Sequence, residues 1–269
     1  MRKIAITVAP VGAGTIQGVN NPLTPEAIAS EAIACFQAGA AQIHLHVRNA
    51  YGQPTGDLTV FDRSVQTICA STDLIIQGST GGLSSLSRED RCVSLDQPGV
   101  EVASLNMGCV NFGEVLYLNS LADIRFWASR MKKKKILPEL EIFEAGMMYN
   151  AFALIKEGVL PQNNVYSFSL GIGPLPANVH SLMALSSLVP EGSVWGCIHT
   201  GMEDLTMLAT AIGMGASYIR VGFEDSIAYA PGRIAKSNAE LVARAADLVR
   251  AMGCEVATPA QARAMLHGT

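Results

Sequence analysis

Short runs of β-branched and aliphatic residues alternate along this chain with longer stretches in which apolar positions recur every three or four residues. The short runs at 3–9, 42–47, 74–79, 101–107, 136–143, 165–171, 194–199 and 218–223 read as strands. Helical patterns at 25–38, 58–71, 87–96, 120–134, 145–157, 177–187, 203–213 and 237–252 separate them. Boundary signals agree with that division. Thr24 stands as N-cap before Pro25, and Ser237 stands three residues before Glu240 as a capping box. Gly39, Gly158, Gly215 and Gly253 each follow the last periodic residue of a helix. Such alternation means parallel strands joined by right-handed crossovers. Eight units over residues 1–269 fit one α/β domain, a (β/α)8 TIM barrel. An open doubly wound sheet is the alternative. It would want a GxGxxG turn after the first strand, and "APVGAGTIQG" matches that poorly.

Composition narrows the class. Hydrophobic residues make up 49% of the 269 positions and charged ones 16%, which suits a core-rich globular chain. The net charge of −4 points away from nucleic acid and from anionic membranes. The dense basic run Lys132–Lys135 reads as a solvated helix end favoured by the helix dipole. No apolar stretch approaches the roughly 18 to 20 residues of a membrane span. "MRKIAITVAP" is too short for a secretory signal. Six cysteines without a CxxC pair suggest reduced core residues in a cytoplasmic protein.

One strand breaks the apolar pattern. In "IHLHVRN" (43–49), Ile43, Leu45 and Val47 occupy one face, and His44, His46 and Arg48 the other. Two imidazoles spaced i, i+2 can reach one metal ion through neutral ring nitrogens. Arg48 stands at the C-terminal end of the strand, where barrel active sites are built. Core histidines held by hydrogen bonds are the plainer reading. The eighth strand, in "YIRVGFEDS", puts Arg220, Gly222 and Glu224 on one face. Strands two and eight both flank strand one in a closed barrel, so Glu224 can complete a His2Glu set with an open position. Asp225 beside it is also a possible helix N-cap. "QGSTGG" (77–82) contains Ser79, Thr80, Gly81 and Gly82 and suits either an anion or oxyanion site or a plain turn. "LPELEIF" places Glu139 and Glu141 on one face of strand five, where burial demands a counterion such as Arg48 or Arg220.

Taken together, these segments resemble the β-keto acid cleavage enzymes, the family of the 3-keto-5-aminohexanoate cleavage enzyme. The resemblance runs nearly end to end, through "ITVAPVGA", "LTPEAIASEAIACFQAGAAQIHLHVRN", "STGG", "VASLNMG", "PELEIFEAG", "YIRVGFED", "SNAELV" and "CEVATPAQAR". It implies a zinc-dependent barrel in which a β-keto acid and acetyl-CoA become acetoacetate and a new acyl-CoA by a Claisen-type exchange. His44, His46 and Glu224 would be the zinc ligands, one ion per chain. Arg220 and Asp225 would serve the substrate carboxylate and proton transfer, with Asp225 as the general base. Ser79 would bond the substrate, with Arg48, Thr80, Gly81 and Gly82 around it and Glu141 deeper in the catalytic set. Either Ser104 or Asn106 would help move CoA. The family also implies a homotetramer.

That chemistry needs a base for a weak carbon acid, here taken as the acetyl-CoA methyl group, and no serine or cysteine nucleophile. Three segments depart from the family pattern. Gly14 stands where an acidic residue is expected to read a substrate amino group, which argues against a 5-amino substrate. "GCIHTGME" lacks the arginine of many relatives, leaving His199 or Glu203 as stand-ins, and "GIGPLPANV" is short. A CoA-independent metal hydrolase or aldolase, and a non-catalytic acid-binding barrel, are the competing functions.

Overall fold

A computed structural model describes residues 1–82 and 85–268. Eight parallel strands form the barrel: β1 Lys3–Val8, β2 Gln42–Leu45, β3 Ile75–Gly78, β4 Val100–Asn106, β5 Leu137–Ile142, β6 Val165–Ser169, β7 Val194–Ile198 and β8 Tyr218–Val221. β8 pairs with β1, with Thr7 opposite Arg220, so the sheet closes and leaves no open barrel edge. The expected TIM barrel is therefore the observed fold, and the open sheet is excluded. Outside it run α1 Pro25–Ala38, α2 Thr59–Ser71, α3 Leu121–Lys134, α4 Ala145–Lys156, α5 Val179–Ser186, α6 Thr206–Gly213 and α7 Asn238–Ala251.

Strand alternation sorts the side chains. Ile4, Ile6, Val8, Ile43, Leu45, Leu140 and Ile142 face outward and are buried under the helices. Inside, the lowest layer is apolar: Ala5, Ile75, Val102, Val165 and Tyr218. A short strand, Glu255–Val256, pairs with the start of β1, and α8 Pro259–His267 follows it. Ala262, Met265 and Leu266 of α8 pack on that apolar layer and close the N-terminal end of the barrel. Thr258 caps α8 in a full capping box with Gln261. The next layer up is polar and fully buried, with Gln42, Gln77, Ser104, Glu139 and Ser167.

Several expectations need correction. The segment 87–96 is a 3-10 helix over Asp90–Asp96, not an α-helix, with non-helical geometry at Cys92. Arg91 within it donates to the carbonyls of Thr80 and Leu118 and to Asn119 Oδ1, so the segment ties down two mouth loops. β2 ends at Leu45, and His46 lies just beyond it. At Ser237 only half of the box forms, because the Glu240 carboxylate accepts from the Lys236 N–H instead. Cys69 and Cys109 are exposed while the other four cysteines are buried, and none is bonded to another. α8 and the hairpins Val110–Phe112/Val115–Tyr117 and Ala228–Ala230/Arg233–Ile234 had no sequence counterpart, being too short for a periodic signal. Among the described residues no helix is long and apolar enough to cross a membrane.

Candidate functional site

The C-terminal mouth of the barrel holds a cavity of about 410 Å³, lined among others by His44, His46, Arg48, Ser79, Gly81, Gly82, Glu141, Arg220, Glu224 and Asp225. A tight turn delivers the two acidic residues. After β8, the N–H groups of Asp225 and Ser226 both donate to the Gly222 carbonyl. Gly222 has φ 141° and lies so close to the Ala9 backbone that a Cβ would overlap it. Glu224 and Asp225 are thereby set side by side over the mouth. Asp225 caps no helix, since α7 begins only at Asn238.

Glu224 Oε1 lies 3.4 Å from His44 Nε2 and 3.3 Å from His46 Nε2. One donor atom from each of the three residues falls within 4.8 Å of the others. Glu224 Oε2 is buried without a hydrogen-bond partner. Burial opposes the Glu224 charge, but the two imidazoles outweigh it and hold its pKa well below the usual carboxylate range. Burial pushes His46 down to about 4, against the pull of Glu224, so its ring is neutral near pH 7.

The His44 tautomer is set from below. His44 Nδ1 lies 2.6 Å from Gln77 Oε1, an amide oxygen that can only accept, so the proton sits on Nδ1. Gln77 Nε2 in turn donates to Glu139 Oε2 at 2.6 Å, and Gln42 Nε2 donates to the same oxygen at 3.1 Å. This chain leaves the Nε2 lone pair of His44 directed at the Glu224 side, ready for a cation. Glu139 therefore has two amides as partners rather than the arginine expected for it. Gln77 faces His44 in the β2–β3 register, so the inward position in "QGSTGG" carried a signal that the glycines overshadowed.

Arg220 is held by three carboxylates. Its Nε and Nη2 pair with Asp225 at 2.9 Å each, Nη2 also reaches Glu224 Oε1 at 2.8 Å, and Nη1 reaches Glu141 Oε1 at 3.2 Å. Burial opposes its charge, yet Asp225, Glu224 and Glu141 together keep it protonated. Burial also raises Asp225 and Glu141 above their ordinary values, against the pull of Arg220. With so many N–H groups engaged, Arg220 has no free fork for a substrate carboxylate. Arg48 is less occupied: it donates to the Val11 carbonyl at 3.1 Å and stands 3.8 Å from Glu224.

The remaining expected residues separate. Ser79 lines the cavity, and its Oγ accepts from the Gly81 N–H. Thr80 does not line it; its hydroxyl donates to the Ser104 carbonyl at 2.6 Å. Ser104 is fully buried with its Oγ 3.4 Å from Ser79 Oγ, and Asn106 is fully buried with both amide atoms unpartnered. Gly14 also lies off the lining, where Ala13 takes its place. His199 bonds the Asp204 carbonyl, Glu203 is exposed, and neither lines the cavity. The hairpin over the mouth adds Phe112 and Tyr117, whose hydroxyl accepts from the Gly82 N–H at 2.9 Å. Gly81 is required there, because a Cβ would run into that hydroxyl and the Asn106 amide.

A family model described as beta-keto acid cleavage enzyme matches residues 3–267. The chain belongs to that family. The chain is 37% identical over 270 residues to the 3-keto-5-aminohexanoate cleavage enzyme of Fusobacterium nucleatum, covering 99% of this chain and 98% of that one. It is 33% identical over 256 residues to the 3-oxoadipate:acetyl-CoA acetyltransferase of Cupriavidus necator, covering 92% and 89%. A solved structure described as a ternary complex of ObcA with a C4-CoA adduct and oxalate superposes with a TM-score of 0.78. It is 23% identical and spans 91% of this chain and 67% of that one, a likeness of fold.

Proposed function

We propose that this enzyme moves the acetyl group of acetyl-CoA onto a β-keto acid, releasing acetoacetate and a new acyl-CoA. One observation carries the reading: Asp225, raised in basicity by burial and clamped by Arg220, shares a single cavity with the His44–His46–Glu224 cluster. Relatives named as acetyl-CoA transferases support the choice of co-substrate.

The cluster fits a divalent cation. Two imidazole nitrogens and a carboxylate with an unpartnered buried oxygen form the donor set of a catalytic zinc with an open position. Zinc held there would polarise the keto carbonyl and stabilise negative charge developing on its oxygen.

Carbon balance decides which proton Asp225 removes. Acetoacetate takes its acetyl carbons from acetyl-CoA and its CH2–carboxylate from the keto acid. The nucleophile is therefore C2 of the keto acid, which corrects the acetyl-CoA methyl group expected from sequence. Asp225 takes the C2 proton. C2 then bonds to the thioester carbonyl carbon and the C–S bond breaks, freeing CoA thiolate. The thiolate adds to C3, the C2–C3 bond breaks, and C2 recovers its proton from Asp225. Arg220 holds the base in one orientation throughout, and its Glu141 contact fixes the guanidinium. Arg48 serves the substrate carboxylate, on its position at the cavity and its loose pairing. Ser79, Tyr117 and the Gly81–Gly82 backbone form the polar wall that faces the reacting carbonyls, and the orphaned amide of Asn106 lies buried beside Gly81.

Residues 1–269 act as one catalytic domain in this reading, and the exposed Val115, Leu116, Leu118 and Leu121 suit burial in a homo-oligomer. The test is an assay of zinc-loaded protein with acetyl-CoA and a panel of β-keto acids. Acetoacetate should form only when both substrates are present. Turnover without CoA would replace this reading with a hydrolase or aldolase.

A further inference from the structure

Which keto acid the enzyme takes can be read from how charge is distributed around the cavity. The charged lining groups cluster together, and the carboxylates among them are committed. Glu141 and Asp225 pair with Arg220, and Glu224 faces the imidazoles. Among the described lining residues, Arg48 alone has its nearest carboxylate as far as 3.8 Å. Two arginines and a divalent cation against three carboxylates leave one positive charge. The carboxylate that every β-keto acid carries on C1 matches it.

Among the described residues the rest of the lining is uncharged. Phe112, Phe143, Ile172, Ile198 and Pro54 give apolar surface, with the Phe112 ring 5.0 Å from Tyr117 and 5.2 Å from Phe143. Gln53, Ser169 and Thr200 add neutral polar surface beside them, and Ser169 and Thr200 bond each other at 3.0 Å. A second charge on the substrate would enter this space with no counterion, and desolvating an unpaired charge is strongly unfavourable. The geometry points to a β-keto acid whose group beyond the C3 carbonyl is uncharged and apolar. The inference rests on the transfer reading for the class of substrate and goes beyond it in naming the side chain.

The experiment uses three acids of equal length: 3-oxohexanoate (neutral), 5-amino-3-oxohexanoate (cationic) and 3-oxoadipate (anionic). Calorimetric titration into the zinc-loaded enzyme without acetyl-CoA measures binding apart from turnover. 3-Oxohexanoate should bind at least about tenfold tighter than either charged acid, because only it avoids burying an unpaired charge. With acetyl-CoA added, kcat/KM should follow the same order. A charged acid that binds as tightly as the neutral one, or tighter, overturns the inference. Absence of acetoacetate with all three, while 3-oxohexanoate still binds tightest, would reject the transfer reading and leave the charge preference standing.

Discussion

At the scale of single residues, the site depends on atoms left without alternatives. His44 can present only Nε2, because Gln77 and Glu139 hold its other nitrogen in the protonated form. His46 is kept neutral by burial. Replacing His46 with alanine leaves two ligands where zinc wants three, so bound zinc in the purified variant should fall at least about tenfold. Elemental analysis reads this directly, and an unchanged metal content would place the ion elsewhere. Asp225→Asn keeps the shape of the side chain but removes its basicity. Turnover should drop by about 10²–10⁴-fold, the usual contribution of a positioned base, with zinc content unaltered. A variant that retained most of its kcat would remove Asp225 from the proton transfer.

At the scale of elements, the site is assembled where strand ends meet. The turn after β8 must lie against the end of β1, and Asn238 fastens the two. Its Oδ1 accepts from the Phe223 N–H at 2.8 Å and its Nδ2 donates to the Pro10 carbonyl at 3.2 Å, in full burial. Asn238→Ala would orphan both backbone groups and cost about 2 kcal/mol. For a domain of this size that corresponds to a fall of about 4–8 °C in Tm, readable by calorimetry. A melting point within a degree of the parent would show that water or local rearrangement replaces the amide. The hairpin over the mouth has a different role. It contributes a hydroxyl to the Gly82 N–H and an aromatic face to the cavity, from residues 110–117 that form no part of the barrel.

At the scale of the whole molecule, the barrel interior changes character along its axis. The apolar layer closed by α8 gives way to buried amides and Glu139, and then to the charged mouth. A cation bound at the mouth links β2 to the turn after β8 across the closure of the sheet. Ligand binding to the folded state alone stabilises it by about 2.7 kcal/mol when free ligand is a hundred times Kd. Chelated protein should therefore melt lower than zinc-loaded protein, and added zinc should restore the difference. Identical melting curves with and without chelator would mean that the cluster holds no metal under those conditions.

The eightfold strand–helix alternation was legible in the sequence because periods of two and three to four residues are local properties of the chain. So was the pairing of His44 and His46 on one strand face, and Glu224 beside them followed from barrel closure. Thr80 was chosen from local pattern, and Gly14, Ser104 and Asn106 from the resemblance; none of the four lines the cavity. Contacts between residues far apart in sequence were decided only by the tertiary structure: the Arg220–Glu141 pair, the Gln42–Gln77–Glu139 chain beneath His44, and the Tyr117 hydroxyl above Gly82. The sequence determined which side chains point inward, because side-chain direction alternates strictly along a strand. Which inward groups meet, and so which charges remain free for a substrate, was set by strand register and loop packing, which no local pattern contains.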